Sequence, residues 1–413
     1  MQLNFKAISE PSQPGVKWQK LYRTQWPAYK SWLNSKESEN YPDLKTSQAA
    51  LKKFMPEMWS TYKQLCKLAN ADKVAARFLT GFQPPAYVSG CSQAVTTNDD
   101  IQLVRNYDFH PELMEGAQLL TSWNGKKVIA TSDSLIGAID GMNEDGLAVS
   151  LTFGGRKVVG LGFGIPFILR YVLEFCSNVD EALDALTRIP SHMSYNVTIV
   201  DITGKFKTLY LSPDKKPEVT DASFTTNHQG KIDWPENALF NNTLKRYYFL
   251  KDILSENNVN SVDVADAFLE EPLYSTKFKE GFGTLFTSVY KPLSGKVELR
   301  WPEISIKQSF DNFQEMEKLI NYEQNKVLDE MFSQEVIDFA KALEDPFDKK
   351  YDQNLNLEDN VTEIIINKIA AAHPSKSKKE LGRIREKIID NGVFTWKSVS
   401  GLWSKISSKY ASH

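Results

Sequence analysis

The chain has 413 residues, of which 41% are hydrophobic and 24% charged, with a formal net charge of −3. These are ordinary globular values, and they exclude a collagen-like repeat, a low-complexity polymer and a chain too poor in apolar residues to bury a core. Forty-nine basic residues against 52 acidic ones give no global field for nucleic acid or an anionic membrane.

At roughly 150 residues per domain, the length suggests two or three domains, or one large domain with additions at its ends. The start, Met1-Gln-Leu-Asn-Phe-Lys6, lacks the charged segment and apolar run of a secretory signal. No apolar run reaches the roughly 18 residues of a membrane span. A soluble cytoplasmic chain is therefore expected. Three glycosylation sequons, at Asn196, Asn241 and Asn360, would matter only for a secreted protein. Three cysteines (Cys66, Cys91 and Cys176) cannot form a disulfide framework, and an odd thiol fits a reducing compartment.

In chain order, the first 90 residues read as helical and aromatic-rich. Leu51, Phe54, Met58, Tyr62, Leu65, Leu68, Val74 and Phe78 recur mostly at helical spacing. Pro84 and Pro85 end that pattern. Short β-branched segments follow, at Ile101–Arg105, Lys127–Thr131 and Gly146–Thr152, with a turn at Asn143-Glu-Asp-Gly146. Pro166 suits the first turn of a helix, and Ser177-Asn-Val-Asp180 reads as the capping box of a second. Strands return at Asn196–Val200 and Lys205–Leu211. A helical pair near 242–271 precedes a hairpin, Thr284–Tyr290 with Gly295–Trp301. From Ser309 to about Leu343 the pattern is again helical, and the remainder is charged and helical. Six Lys/Arg between Lys376 and Lys387 are interleaved with Glu380 and Glu386, a solvated helix rather than a binding patch. Hairpins interrupted by helix pairs suggest α+β layers with largely antiparallel sheets.

Several chemistries are absent from the sequence. Five histidines are scattered, with no His-Glu-x-x-His and no paired cysteines, so no zinc site is expected. There is no Walker A loop and no Gly-x-Ser-x-Gly. Gly160-Leu-Gly-Phe-Gly164 fits no dinucleotide fingerprint and reads as a tight connection into a helix. Cys66 and Cys176 lie on apolar helix faces and take a structural reading.

What remains is Ser89-Gly90-Cys91-Ser92, followed by Arg105-Asn-Tyr-Asp-Phe109 and Gly141-Met-Asn-Glu-Asp-Gly-Leu-Ala-Val-Ser150. These segments resemble the N-terminal-nucleophile (Ntn) amidohydrolases, in the branch that contains penicillin acyltransferase and, more distantly, the choloylglycine hydrolases. The helix from Pro166, the strands around Asp201-Ile-Thr-Gly204, Phe224-Thr-Thr-Asn-His228, Asn242–Tyr247 and the hairpin from Thr284 continue the resemblance in order. It spans roughly 81–305. The fold it implies is an α+β, four-layer αββα sandwich with two antiparallel sheets. The division expected is a helical segment 1–90, a catalytic domain 91–310 and a helical C-terminal extension 311–413.

The chemistry can be argued beside the resemblance. A thiol with a pKa of about 8.5 is mostly protonated at neutral pH. If Cys91 became N-terminal, its own α-amine, with a pKa of about 7.7–8.0, could act as base. No histidine partner is then needed, but Gly90–Cys91 must first be cut. Glycine leaves that carbonyl open and the backbone free to adopt strained angles. In the family the thiol attacks this carbonyl and water resolves the ester. Taken alone, Gly90 and Cys91 read as a turn glycine and a small buried hydrophobe.

Arg105 and Asp108 lie 14 and 17 residues past Cys91, enough for a hairpin to return to the same site. Residues i and i+3 on a strand face opposite ways, so a bend or bulge is expected there. The resemblance implies that Asp108 binds the α-ammonium and that Arg105 sits by the thiolate and lowers the thiol pKa; a surface ion pair is the plain alternative. Asn143 and Asn227 match the family's oxyanion-hole positions, where donors stabilise a tetrahedral intermediate. Arg246 matches an arginine near the amine and substrate. A turn asparagine and a helix-surface arginine are the alternatives for Asn143 and Arg246. Tyr107 and Asn196 could line the pocket, or be a core aromatic and a strand residue.

The expected activity is cleavage of the linear amide bond of a small N-acyl molecule through an acyl-Cys91 thioester, without a cofactor. Water as acceptor is favoured, since it needs no second site. Transfer to an amine, with acyl-CoA as co-substrate, is the alternative, and a non-catalytic binding protein on the same scaffold is the rival. Segment 1–90 is expected to stay bound after the cut, to keep its apolar face covered. The C-terminal hundred residues are left to dock on the core or to build a homo-oligomer.

Overall fold

Short β-branched runs pair into two sheets in the computed structural model, which describes residues 2–36, 41–255, 259–278 and 280–322. The N-terminal segment holds β1 (Gln2–Glu10), α1 (Val16–Ser35), α2 (Leu44–Phe54), α3 (Trp59–Ala69) and α4 (Lys73–Phe78). Six strands follow: β2 (Gly90–Thr96), β3 (Gln102–Phe109), β4 (Ala117–Thr121), β5 (Val128–Asp133), β6 (Gly137–Asn143) and β7 (Ala148–Phe153). Helices α5 (Ile165–Phe175) and α6 (Val179–Arg188) lead to β8 (Tyr195–Val200), β9 (Phe206–Leu211), β10 (Glu218–Thr220) and β11 (Phe224–Thr225). After α7 (Pro235–Phe240), α8 (Thr243–Leu254) and α9 (Ser261–Ala267) come β12 (Thr276–Lys277), β13 (Phe282–Lys291), β14 (Lys296–Trp301), β15 (Ile304–Ser309) and β16 (Met316–Asn321).

Among the described residues, the first sheet runs β10-β9-β8-β7-β6-β5-β4-β1-β16 and the second β11-β2-β3-β13-β14-β15, with β12 beside β13. Every pairing is antiparallel except β1 with β4. The sheets face each other through Val95, Leu103 and Tyr290 on one side and Leu120, Ile129, Met142 and Ala148 on the other. Outside the second sheet, Leu250, Val264 and Phe268 cover Ala94, Val104 and Val289. Outside the first, α5 lies along β6, where Leu173 reaches the face of Gly141. The result is the four-layer helix–sheet–sheet–helix order that the resemblance implies.

Local signals explain most boundaries. Helix α5 opens at Gly164 with Pro166 in its first turn. Helix α6 is capped one residue later than the capping box was read. The Asn178 side chain accepts from the Glu181 N–H at 3.0 Å, and the Glu181 carboxylate accepts from the Ser177 N–H at 2.7 Å. Gly146, at φ +79°, closes the β6–β7 turn.

Two expectations are corrected. The N-terminal segment is not wholly helical, because Gln2–Glu10 forms a strand inserted between β4 and β16. The helical reading from Ser309 fails over Met316–Asn321, which pairs antiparallel with β1; residues 323–413 lie outside the described residues. Phe5, Trp18, Tyr22, Leu51, Leu65 and Phe78 of the N-terminal segment are buried in one cluster with Leu135, Phe163, Phe167 and Val172. Each such burial stabilises by about 2 kcal/mol.

A polar cluster also ties α1 to the β5–β6 turn. The Tyr29 hydroxyl donates to Glu115 Oε1 at 2.6 Å, lies 3.0 Å from Asp133 Oδ1, and accepts from the Ser134 N–H. Glu115 also accepts from Ser132 Oγ and the Leu135 N–H. Burial, then the Asp133 charge, pushes Glu115 up to about 7, and burial pushes Asp133 up as well. Trp18 donates its indole N–H to the Leu135 carbonyl at 2.9 Å. Ser134 and Leu135 both adopt positive φ, at 57° and 71°, so the clamp from α1 holds a turn that L-residues disfavour.

Candidate active site

The ladder between β2 and β3 sets the site. Cys91 pairs with Tyr107, Gln93 with Arg105, and Gly90 with Asp108. Alternation then places Cys91, Arg105 and Tyr107 on the face toward the first sheet, and Asp108 on the face toward the helices. The register of β2 with β3 is unbroken. The bulge expected near Arg105 and Asp108 lies instead in the neighbouring strand, between Thr284 and Phe286. The two residues therefore approach Cys91 from opposite faces.

Cys91, Arg105 and Asp108 are all 0% exposed. Arg105 spends its whole fork: Nη2 donates to Cys91 Sγ at 3.1 Å, Nη1 to Asp140 Oδ2 at 2.8 Å, and Nε to the Leu151 carbonyl at 2.8 Å. Its ring-stacking partner is Tyr107, with the guanidinium carbon 4.7 Å from the ring centroid. The surface ion pair with Asp108 is excluded, since Arg105 is buried and pairs with Asp140. Burial pushes the Cys91 thiol up, the Asp108 charge adds to this, and Arg105 only opposes them. Arg105 thus lowers the thiol as expected, but in the uncut chain burial outweighs it. Burial alone would lower Arg105, but Cys91 and Asp140 opposite it leave it raised.

On the other face, Arg246 donates to the Cys91 carbonyl, to Ser92 Oγ at 2.8 Å and to Asn227 Oδ1 at 2.6 Å. It is buried, which corrects the helix-surface alternative. Asn227 Oδ1 also accepts from the Cys91 N–H at 3.1 Å, while its Nδ2 donates to the Phe153 carbonyl. Two donors on one atom fix the orientation of this amide. Asn227 thus grips the nitrogen of the Gly90–Cys91 bond, and one of its two Nδ2 hydrogens is taken by the Phe153 carbonyl. Asp108 accepts from Thr284 Oγ1 at 2.7 Å; among the described residues its Oδ2 has no hydrogen-bond partner and lies 3.9 Å from Arg246. Burial raises the Asp108 pKa despite Arg246.

Gly90 is required for space. It sits in a regular strand, and an added Cβ would fall 1.8 Å from the Phe282 ring. Its φ is not positive, so the backbone freedom of glycine is not used there.

Asn143 is the clearest correction. It is buried in the β6–β7 turn, where Nδ2 donates to the Leu173 and Cys176 carbonyls and Oδ1 accepts from the Asp145 and Leu147 N–H groups. Its own N–H donates to the Leu147 carbonyl. Its amide hydrogens tie the turn to the end of α5 and its backbone N–H closes the turn, so none of its donors is left to face an oxyanion. Asn196 braces the loop that carries Asn227, donating to Thr152 Oγ1 and to the Thr226 and His228 carbonyls. Tyr107 does stand beside the thiol. His228, next to Asn227, is pulled down to about 4 by burial and Arg246, so it is neutral at physiological pH. Cys176 is pushed up to about 12 by burial, and burial raises Cys66 too, which fits their structural reading.

The residue missed was Asp140. Its Oδ1 accepts from the Tyr290 hydroxyl at 2.6 Å and its Oδ2 from Ser288 and Arg105. A carboxylate at an inward position of an apolar strand, in Ala138-Ile-Asp-Gly-Met142, was the available signal.

A family model described as acyl-coenzyme A:6-aminopenicillanic acid acyl-transferase matches residues 95–305. No curated protein sequence matches the chain. Among solved structures, a mutant of the conjugated bile acid hydrolase from Clostridium perfringens is 13% identical, covers 57% of this chain and 97% of its own, and gives a TM-score of 0.38. A Caenorhabditis elegans ortholog of N-acylethanolamine-hydrolyzing acid amidase is 17% identical, covers 56% and 100%, and gives 0.38. Penicillin V acylase from Agrobacterium tumefaciens is 14% identical, covers 54% and 86%, and gives 0.36.

Proposed function

The chain belongs to the acyl-coenzyme A:6-aminopenicillanic acid acyl-transferase family, and from that premise we propose that it is a self-processed N-terminal-cysteine enzyme that cleaves the amide bond of a small N-acyl molecule. The observation that carries this reading is the Arg105 guanidinium 3.1 Å from Cys91 Sγ, with Asn227 and Arg246 gripping the backbone on either side of that thiol. Maturation begins with attack of Sγ on the Gly90 carbonyl carbon. The C–N bond breaks as a proton passes to the Cys91 nitrogen, leaving a Gly90 thioester. Water hydrolyses it to a Gly90 carboxylate and a free thiol.

In turnover the new α-amine takes the thiol proton, and the thiolate attacks the substrate carbonyl. The α-ammonium then gives its proton to the departing amine, and water resolves the acyl-thioester. Arg105 holds the thiolate by charge. Asp108 offers the ammonium its Oδ2, which takes no hydrogen bond among the described residues, and Asn227 Oδ1 keeps that nitrogen oriented. Opening of the cut end admits water, so the burial that raises the thiol in the uncut chain weakens. The segment 1–90 stays bound, because β1 is flanked by β4 and β16 and its aromatic side chains share the main core.

The name of the family favours a second reading, in which an amine rather than water takes the acyl group, with acyl-CoA as the donor. Both readings share the thioester. Incubating mature protein with an N-acyl amide and quenching in acid is expected to leave the acyl mass on the peptide that begins at Cys91. Added hydroxylamine diverts product from the free acid to the hydroxamate in proportion to its concentration. An unmodified peptide throughout turnover would rule out the thioester.

A further inference from the structure

The ladders place a polar row at the level of Arg105 in each sheet. In the second sheet, Gln93, Arg105 and Ser288 stand opposite one another on β2, β3 and β13, so their side chains share a face. In the first sheet, Asp140 on β6 pairs with Ser150 on β7 and with Thr131 on β5. The two rows bond across the gap between the sheets. Ser150 Oγ donates to Gln93 at 2.5 Å, and Asp140 Oδ2 accepts from Arg105 at 2.8 Å and from Ser288 at 3.0 Å. Tyr290, two residues beyond Ser288 on the same face, donates its hydroxyl to Asp140 Oδ1 at 2.6 Å. Arg105, Asp140, Ser288 and Tyr290 are all buried.

Asp140 therefore meets three donors from two strands of the facing sheet, and they act differently. The Arg105 contact fixes the turn of the guanidinium, so that Nη2 points at Cys91 Sγ. It also opposes the thiolate, because in a dry interior a carboxylate beside Nη1 draws on the same positive charge. The two hydroxyls work against that loss. Each donates to Asp140 and disperses part of its charge, which leaves more of the guanidinium charge for the sulfur. Other titratable groups bear on the pair as well: Asp108 and Arg246 on Cys91 from the helix side, Tyr107 and Tyr195 from the sheet side, and Asp133 on Arg105 from β5.

We infer that Asp140 is a positioning residue for the nucleophile, acting through Arg105, and that Tyr290 and Ser288 set how much of the Arg105 charge the Cys91 sulfur receives. The inference rests on the reading of Cys91 as the nucleophile given above.

The test titrates the Cys91 thiol of the mature protein through the pH dependence of its alkylation by iodoacetamide, read from the mass of the peptide carrying Cys91. Tyr290→Phe leaves Asp140 one donor short, and the midpoint is expected to rise by about half a pH unit. Ser288→Ala is expected to move it the same way. Asp140→Asn removes the opposing charge and is expected to lower the midpoint by about one pH unit. Amide cleavage by that variant slows by about tenfold, because Nη2 is no longer aimed. A loosened sheet interface would move all three variants in one direction, so opposite signs mark the positioning role. Should Asp140→Asn not fold, the two hydroxyl variants decide alone. Midpoints that stay or fall in Tyr290→Phe and Ser288→Ala would overturn the inference. A midpoint that stays or rises in folded Asp140→Asn would overturn it equally. Shifts of the stated signs in a protein that cleaves no N-acyl amide would overturn the amide-cleaving reading and leave this inference standing.

Discussion

Two buried polar clusters join the N-terminal ninety residues to the rest of the chain, and they balance charge in opposite ways. Around Cys91, the guanidinium groups of Arg105 and Arg246 stand against Asp140, Asp108 and a thiol. Around Tyr29, Glu115 and Asp133 share a phenol, and their hydrogen-bond partners are hydroxyl and backbone N–H groups. The first cluster can hold an anion on sulfur, because its cations are buried with it and one arm of the Arg105 fork already points at Sγ. The second has two buried acids side by side, so burial and their mutual repulsion raise both carboxyls. One cluster is built for chemistry at the scissile bond; the other fastens the segment that the cut would separate.

The sharpest way to break this contrast is at Arg105. Arg105→Lys keeps the charge but cannot donate at once to Sγ, Asp140 and the Leu151 carbonyl, as the native fork does. Processing between Gly90 and Cys91 is expected to slow by about 100-fold, a rise of roughly 3 kcal/mol in the barrier. Timed electrophoresis of the purified precursor measures it. Processing at the native rate would show that the guanidinium geometry is immaterial.

The second cluster should reveal itself through pH. Glu115 is raised to about 7 in the folded chain, so between its unfolded value near 4.5 and that point the native state binds the extra proton. Stability contributed by this group is therefore complete below about pH 4.5 and is lost as pH rises toward 7, by up to about 3 kcal/mol. Asp133 shifts in the same direction. Urea unfolding of the uncut Cys91→Ala chain is expected to give a lower midpoint at pH 7.5 than at pH 5. In Glu115→Gln that difference should shrink. Equal pH dependence in both would remove Glu115 as its source.

Much of this organisation is legible in the sequence, and the exceptions have physical causes. The helix from Pro166, the turn at Gly146 and the paired strands around Asp201 follow local rules that the structure obeys. Cys91, Arg105, Asp108, Asn227 and Arg246 converge as their order along the chain suggested. By contrast, β1 was hidden inside a helical reading because its parallel partner begins at Ala117, beyond the reach of any local pattern. Met-Glu-Lys-Leu-Ile-Asn321 has helix-forming composition, yet the open edge of β1 makes it a strand. Asn143 sits in a telling motif, but a turn asparagine and an oxyanion donor look alike until hydrogen bonds are counted. Asp140 carried a signal, an acid on an inward strand position, that only its pairing with Arg105 explains.

The central claim is that Cys91 cuts the chain before it and then works as the new N-terminus. Intact mass under denaturing conditions, on freshly purified wild-type protein and on Cys91→Ala, tests it most directly. Wild type is expected as two fragments divided between Gly90 and Cys91 that co-elute on gel filtration, and Cys91→Ala as one uncut chain. A wild-type chain that stays whole while cleaving amides, or a cut that persists in Cys91→Ala, would contradict it.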